Sequence, residues 1–139
     1  MQIETLLMAN VAGIENGLLS AEGAGWEHYV PAFLPCTVRG AVCGVATLDE
    51  SELGSTPALK FRASAQDGQS LGWSASMTID GVRVRAPEGV PTRVPFVVTL
   101  TAVVRNPTVI TITLTSDSEE LAATSFAVRD PVPDAPPPT

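Results

Sequence analysis

Alternation of apolar and polar side chains, with a period of two residues, is the dominant pattern along this chain. Apolar residues at positions 59, 61, 63 and 65 alternate with polar ones, and the same alternation returns between positions 71 and 79. Asp67-Gly68 stands between the two runs and is a strong hairpin turn signal. Because successive side chains of a strand point to opposite faces, the pattern predicts a β-hairpin with one apolar face.

Similar runs continue through the rest of the chain and predict further strands. In the second half these are residues 94–102, 110–114 and 121–128, with turns at 106–107 and 117–120. Pro95 cannot donate to a ladder, so the first of these strands should begin at an edge or a bulge. In the first half we expect strands at 2–9, 18–21, 25–30 and 37–47, a loop or tight turn at 10–17, and one helical turn at 49–53.

The strand spacing predicts an all-β fold, a two-sheet antiparallel β-sandwich of immunoglobulin-like type with seven to nine short strands. No window longer than about ten residues has helical periodicity. Residues 1–128 should form one domain, and the five prolines of residues 129–139 predict a disordered or polyproline tail. The large side chains expected in the core are Trp73, Phe61, Phe96, Phe126 and Met77.

Charge narrows the range of partners. The 139 residues include 15 acidic and 8 basic side chains, a net charge of −7, which disfavours nucleic acid and anionic membranes as partners. The first eight residues lack a basic segment and carry Glu4, and no apolar run approaches the roughly 20 residues of a membrane helix. These features predict a cytoplasmic protein, or one in a phage particle assembled there.

Residues able to support catalysis or metal binding are sparse in this sequence. His28 is the one histidine and has no cysteine or carboxylate on its own strand face. Cys36 and Cys43 lie seven residues apart on one predicted strand, so they should face opposite sides and stay unpaired. Known catalytic and phosphate-binding motifs do not occur. We therefore expect no catalytic, cofactor-binding or metal-binding residues, and no enzymatic activity.

The candidate contact residues for a partner form two groups, each with a structural alternative. Trp26, His28 and Tyr29 follow a glycine-rich bend, and aromatic residues are enriched at binding hot spots. The alternative for Trp26 is that it plugs one end of the sandwich. Basic side chains around the loop at 86–92 could bind a carboxylate or an acidic partner surface, or pair with acids of this chain; they are Arg83, Arg85 and Arg93.

Two stretches together resemble an uncharacterised bacterial family of similar length, catalogued as a domain of unknown function and common in high-GC bacteria. The first runs from Asn16 to Trp26 as N-G-L-L-S-A-E-G-A-G-W, and the second from Val90 to Val98 as V-P-T-R-V-P-F-V-V. The resemblance covers most of residues 1–128. It implies an immunoglobulin-like sandwich with an early hairpin, and it brings no established activity.

Three functions are compatible with these features. The first is a non-enzymatic protein–protein interaction module, self-associating or bound to another protein, because a sandwich offers sheet edges that can pair with another chain. The second is a structural component of a larger assembly such as a phage virion or a bacterial shell. The third is a small-molecule binder, or an enzyme, with a site built from residues distant in sequence.

Overall fold

The computed structural model describes residues 1–81 and 89–131. Within them the chain forms strands joined by turns and loops, with no helix. The strands are β1 (Gln2–Ala9), β2 (Val11–Glu15), β3 (Leu18–Glu22), β4 (His28–Tyr29), β5 (Cys36–Leu48), β6 (Ala58–Ala65), β7 (Ser74–Thr78), β8 (Thr92–Val104), β9 (Thr108–Ser116) and β10 (Glu119–Val128).

Two sheets form the sandwich, and a separate hairpin lies beside them. One sheet has the order β1-β5-β8, the other β4-β10-β9-β6-β7, and β2 pairs with β3. All neighbours are antiparallel except β4 and β10, which run parallel. The neighbours β5-β8 and β10-β9-β6 reproduce the B-E and G-F-C arrangement of the immunoglobulin fold. The predicted fold class is therefore confirmed, with ten strands in the described residues where seven to nine were expected.

The core lies between the inner faces of the two sheets. Phe61, Phe96 and Phe126 are buried as predicted, and the rings of the first two lie 5.8 Å apart across the sheets. Trp73 and Met77 are half-buried at its margin. Trp73 precedes β7, and its indole nitrogen donates a hydrogen bond to the carbonyl of Thr99 on the opposite sheet, at 3.0 Å.

The hairpin predicted at Asp67-Gly68 exists, but its turn is not tight. β6 and β7 pair antiparallel as expected, yet β7 starts at Ser74, so the connection spans residues 66–73. The side chain of Gln69 holds this connection to the next loop: it donates to the carbonyl of Asn106 and accepts from the amide of Arg105, at 3.1 and 2.8 Å. These bonds draw the chain away from β6 before the return strand begins.

The segment predicted as a loop or tight turn at 10–17 contains the strand β2 and, after it, a tight turn. β2 and β3 pair around Asn16-Gly17, both of which have positive φ, as a two-residue hairpin turn requires. The hairpin contacts β5 and β8. Ala9, Ala41 and Cys43 are buried although they lie outside the main core.

The remaining predictions concern two turns or strands, the two cysteines and the C-terminal tail. Residues 49–53 form a hydrogen-bonded turn without helix, in which the Glu52 amide donates to the carbonyl of Asp49. Pro95 does lie on an edge strand, since β8 is the outer strand of its sheet in the described residues. Cys36 and Cys43 are both free, as expected. The predicted tail lies outside the described residues from position 132 onward.

Candidate functional site

The side chain of Trp26 is part of the sandwich. Its indole nitrogen donates to Oδ1 of Asn10 and to the carbonyl of Gly23, at 2.9 and 3.0 Å. Its ring meets that of Phe126 edge-on, with centroids 5.3 Å apart, and that of Tyr29 at 5.5 Å. Its one N–H donor is engaged and its ring is half-buried. Trp26 therefore closes one end of the core, which was the alternative to a partner-binding role.

The backbone before Trp26 explains how it reaches this position. The amide of Gly25 donates to the carbonyl of Met8 at 2.7 Å, and the amide of Asn10 donates to the carbonyl of Glu22 at 2.9 Å. The chain leaving the β2–β3 hairpin therefore returns to the end of β1. Gly25 has a φ of +83°, a conformation that other residues rarely adopt, and it turns the chain toward the core.

His28 and Tyr29 form β4, a strand of only two residues at the edge of the five-stranded sheet. The strand predicted at 25–30 is shorter than expected, and Trp26 precedes it with its ring tilted against that of Tyr29. His28 is exposed, and its Nδ1 accepts a hydrogen bond from Nε of Arg129 at 3.1 Å. Tyr29 is half-buried and its carbonyl accepts from the amide of Arg129, which extends the parallel pairing.

Arg93 lies far from these aromatic residues. Its guanidinium group bonds both carboxylate oxygens of Glu4 at 3.0 Å. This interaction lowers the pKa of Glu4. Arg93 lies opposite Thr47 in the β5–β8 ladder, whereas Trp26 contacts Gly40, seven residues along β5, or about 23 Å. Arg83 and Arg85 lie outside the described residues. The six predicted contact residues therefore do not form one site within the described residues.

A different surface carries large exposed apolar side chains. Phe33 is 69% exposed, and Val30 and Val103 are 49% and 43% exposed. Phe33 and Val103 line a groove of about 470 Å³ together with Tyr29, Pro31 and neighbouring residues as far as Thr37. We call Val30, Phe33, Val103 and this groove the Phe33 surface.

The local sequence explains why Phe33 points away from the core. Pro31 is buried and Leu34 packs against the core cluster, so both neighbours of the Ala32-Phe33 pair are anchored. The residues from Pro31 to Pro35 have no period-two pattern and form no strand. Sequence reasoning missed Phe33 for that reason, since alternation was the signal that separated inward from outward side chains. A proline on either side of an aromatic residue was the available hint.

The thiols near this surface differ in burial. Cys36 is half-buried and lines the groove, whereas Cys43 is fully buried and its thiol lies near the carbonyl of Leu7 on β1. Burial raises the pKa of both thiols. A raised pKa lowers the thiolate fraction and hence the nucleophilicity of a cysteine. Within residues 1–81 and 89–131, no three His, Cys, Asp or Glu side chains are grouped so as to hold a metal ion.

Comparisons with known proteins do not assign this chain to a family. No protein-family model matches the chain, and no curated protein matches it. The resemblance to the bacterial family of unknown function therefore stays a prediction. Across the part of the chain that the structure describes, no helix has the length and apolar character needed to cross a membrane.

Proposed function

We propose that this protein is a non-enzymatic interaction module that binds another protein, or a second copy of itself, through the Phe33 surface. The observation that carries the proposal is the exposure of Phe33 in a groove lined mainly by aromatic, proline and aliphatic side chains. Burying a phenylalanine side chain is worth roughly 1.5–3 kcal/mol. A partner that covered Phe33 would therefore gain a favourable contribution from the exposed part of this side chain.

The arrangement has the features of a binding hot spot. Aromatic residues are enriched at such positions, and the energy concentrates on a few side chains surrounded by near-neutral contacts. Phe33 would be the anchor. Tyr29, which also lines the groove, would contribute both its apolar ring and a hydroxyl group able to form a hydrogen bond. Trp26 takes a supporting role in this proposal, because its contacts with Tyr29 and Phe126 hold the groove in place.

A cytoplasmic location belongs to the same proposal. The two cysteines are unpaired, which suits a reducing compartment. The surplus of acidic side chains also favours a protein partner over nucleic acid or an anionic lipid surface.

Photocrosslinking tests the proposal directly. A photoreactive phenylalanine analogue placed at position 33 should form a discrete adduct on irradiation, with a second copy in the purified protein or with one partner in a lysate of the source cells. A matched control carries the same analogue at Thr56, an exposed residue before β6. A ladder of self-adducts would indicate a repeated assembly. Equal, diffuse labelling from positions 33 and 56 would contradict the proposal.

A further inference from the structure

The outer face of the five-stranded sheet has a concave region with two cationic side chains at its centre. Its volume is about 690 Å³. Lys60 and Arg62 lie two residues apart on β6, so they project from the same face. Both are exposed.

Hydroxyl side chains flank each cation in a regular grid. In the ladder, Lys60 lies between Ser76 on β7 and Thr115 on β9. Arg62 lies in the same way between Ser74 and Thr113. Adjacent strands are about 4.8 Å apart, so each row presents a hydroxyl, a cation and a second hydroxyl within about 10 Å.

These groups are left unengaged in a protein that has an excess of acids. Arg93 pairs with Glu4, whereas neither Lys60 nor Arg62 has a carboxylate within 4 Å among the described residues. The four flanking hydroxyls likewise have no side-chain hydrogen bond within residues 1–81 and 89–131, while Thr111 and Ser125 on the next row bond each other at 2.9 Å. The region therefore offers two positive charges and four free hydroxyls to an external ligand. On the β10 side the row of Lys60 ends at exposed Glu120, which pairs with Thr115, so an acidic ligand fits over β6 and β7 and not over β10.

We infer that this face binds an extended acidic peptide segment whose carboxylates occupy alternate positions. Side chains two residues apart on a strand are separated by about 6.6–6.8 Å, so alternate carboxylates of an extended peptide match the spacing of Lys60 and Arg62. The hydroxyls can donate to the same carboxylates or accept from the peptide amides. The region presents no exposed aromatic ring, since Phe61 beneath it is buried, and so it lacks a stacking platform for bases or sugar rings.

This cationic face lies apart from the Phe33 surface: its rows belong to β6, β7 and β9, whereas the groove lies between β4, β5 and β8. The inference therefore stands on different residues from the proposed function. Its failure would leave the Phe33 surface untouched, and the reverse also holds.

Titration by two-dimensional NMR tests the inference. The probe is an acetylated, amidated seven-residue peptide in which glutamate alternates with threonine. The control peptide has the same composition with its glutamates at positions 1, 2, 5 and 6, so that no two of them lie two residues apart. We expect amide shifts confined to β6, β7 and β9, and at least fivefold weaker binding by the Lys60→Gln/Arg62→Gln variant. The charge-matched control, Arg39→Gln/Arg105→Gln, removes two exposed cations elsewhere and should bind as the unchanged protein does.

Three results would overturn the inference. The first is equal binding of both peptides, since that would show attraction to charge without the alternate spacing. The second is an equal loss in the two double variants, which would show an effect of net charge alone. The third is saturation of the same shifts by inorganic phosphate at the concentrations that the peptide needs, which would make this a simple anion site.

Discussion

The ring of Trp26 occupies the space that a side chain at position 40 would need. A Cβ on Gly40 would stand 2.5 Å from Cη2 of Trp26 and 3.0 Å from the carbonyl oxygen of Ala9. Because residue 40 of β5 is a glycine, the indole ring of Trp26, from the loop after β3, fits against the strand. Through that contact the irregular N-terminal segment becomes part of the core, where the ring of Trp26 also meets that of Phe126 edge-on.

Replacing Gly40 with alanine should destabilise the fold. The added methyl group meets a ring that is also held by two hydrogen bonds, and overpacking of this kind costs about 1–3 kcal/mol. Denaturant unfolding followed by fluorescence measures the loss. Gly13→Ala is the matched control, because a Cβ there has no atom within 4 Å. Equal stability of the two variants would show that Trp26 can move aside freely.

Replacing Arg93 with glutamine should raise the pKa of Glu4 toward its ordinary value, because the hydrogen bond from the guanidinium is what chiefly lowers it. The pair stabilises the fold above the unfolded-state pKa of Glu4, and this contribution is lost as the pH falls through the lowered pKa. NMR titration of the Glu4 carboxyl measures the change, with Arg39→Gln as the control. An unchanged pKa in Arg93→Gln would show that the pair does not form in solution.

The buried thiol of Cys43 should react slowly with a maleimide in the native state. Its side chain is fully buried, and burial also raises the pKa of its thiol. In the Cys36→Ala variant we expect labelling at least a hundredfold slower than in denaturant, measured by mass spectrometry. In the Cys43→Ala variant, half-buried Cys36 should label faster. Equal native rates for the two variants would show that the Cys43 thiol is exposed in solution.

The sequence predicted the fold class and most of the strands because alternation is a local signal. Ile110, Ile112 and Leu114 alternate with threonines on β9, and all three are buried as such a pattern requires. The prediction of a loop or tight turn at 10–17 was right for the turn at Asn16-Gly17 and missed β2, because glycine and asparagine were given more weight than the short strand before the turn. Pairing with β3 and packing on β5 and β8 stabilise β2, and neither contact is visible in a local pattern.

The candidate sites could be predicted only in part. Trp26 and Tyr29 were selected as aromatic residues beside a bend, and they do contact each other. Whether such a ring faces the core or the solvent depends on distant partners, here Gly40 and Phe126. The exposure of Phe33 depends on the anchoring of Pro31 and Leu34, and the rows around Lys60 and Arg62 depend on the registers of three strands.

Substitutions of Trp26 and Phe33 should differ in their effect on the stability of the fold. Trp26→Phe removes two hydrogen bonds and part of a buried contact, so we expect a loss of about 1–3 kcal/mol in the free energy of unfolding. Phe33→Ser replaces a mostly exposed side chain and should change the free energy of unfolding by less than about 0.5 kcal/mol. Thermal and denaturant unfolding of both variants measure this difference. A large loss in Phe33→Ser would show that Phe33 supports the fold.

The most direct test of the proposed binding surface is photocrosslinking from Val103, which lines the same groove as Phe33. A photoreactive residue at Val103 should form its adduct in the otherwise unchanged protein, and the yield should fall at least fivefold when Phe33→Ser is added, with the fold intact. That result would place the partner on the Phe33 surface and make Phe33 its anchor. An undiminished adduct in a folded Phe33→Ser protein would contradict the account.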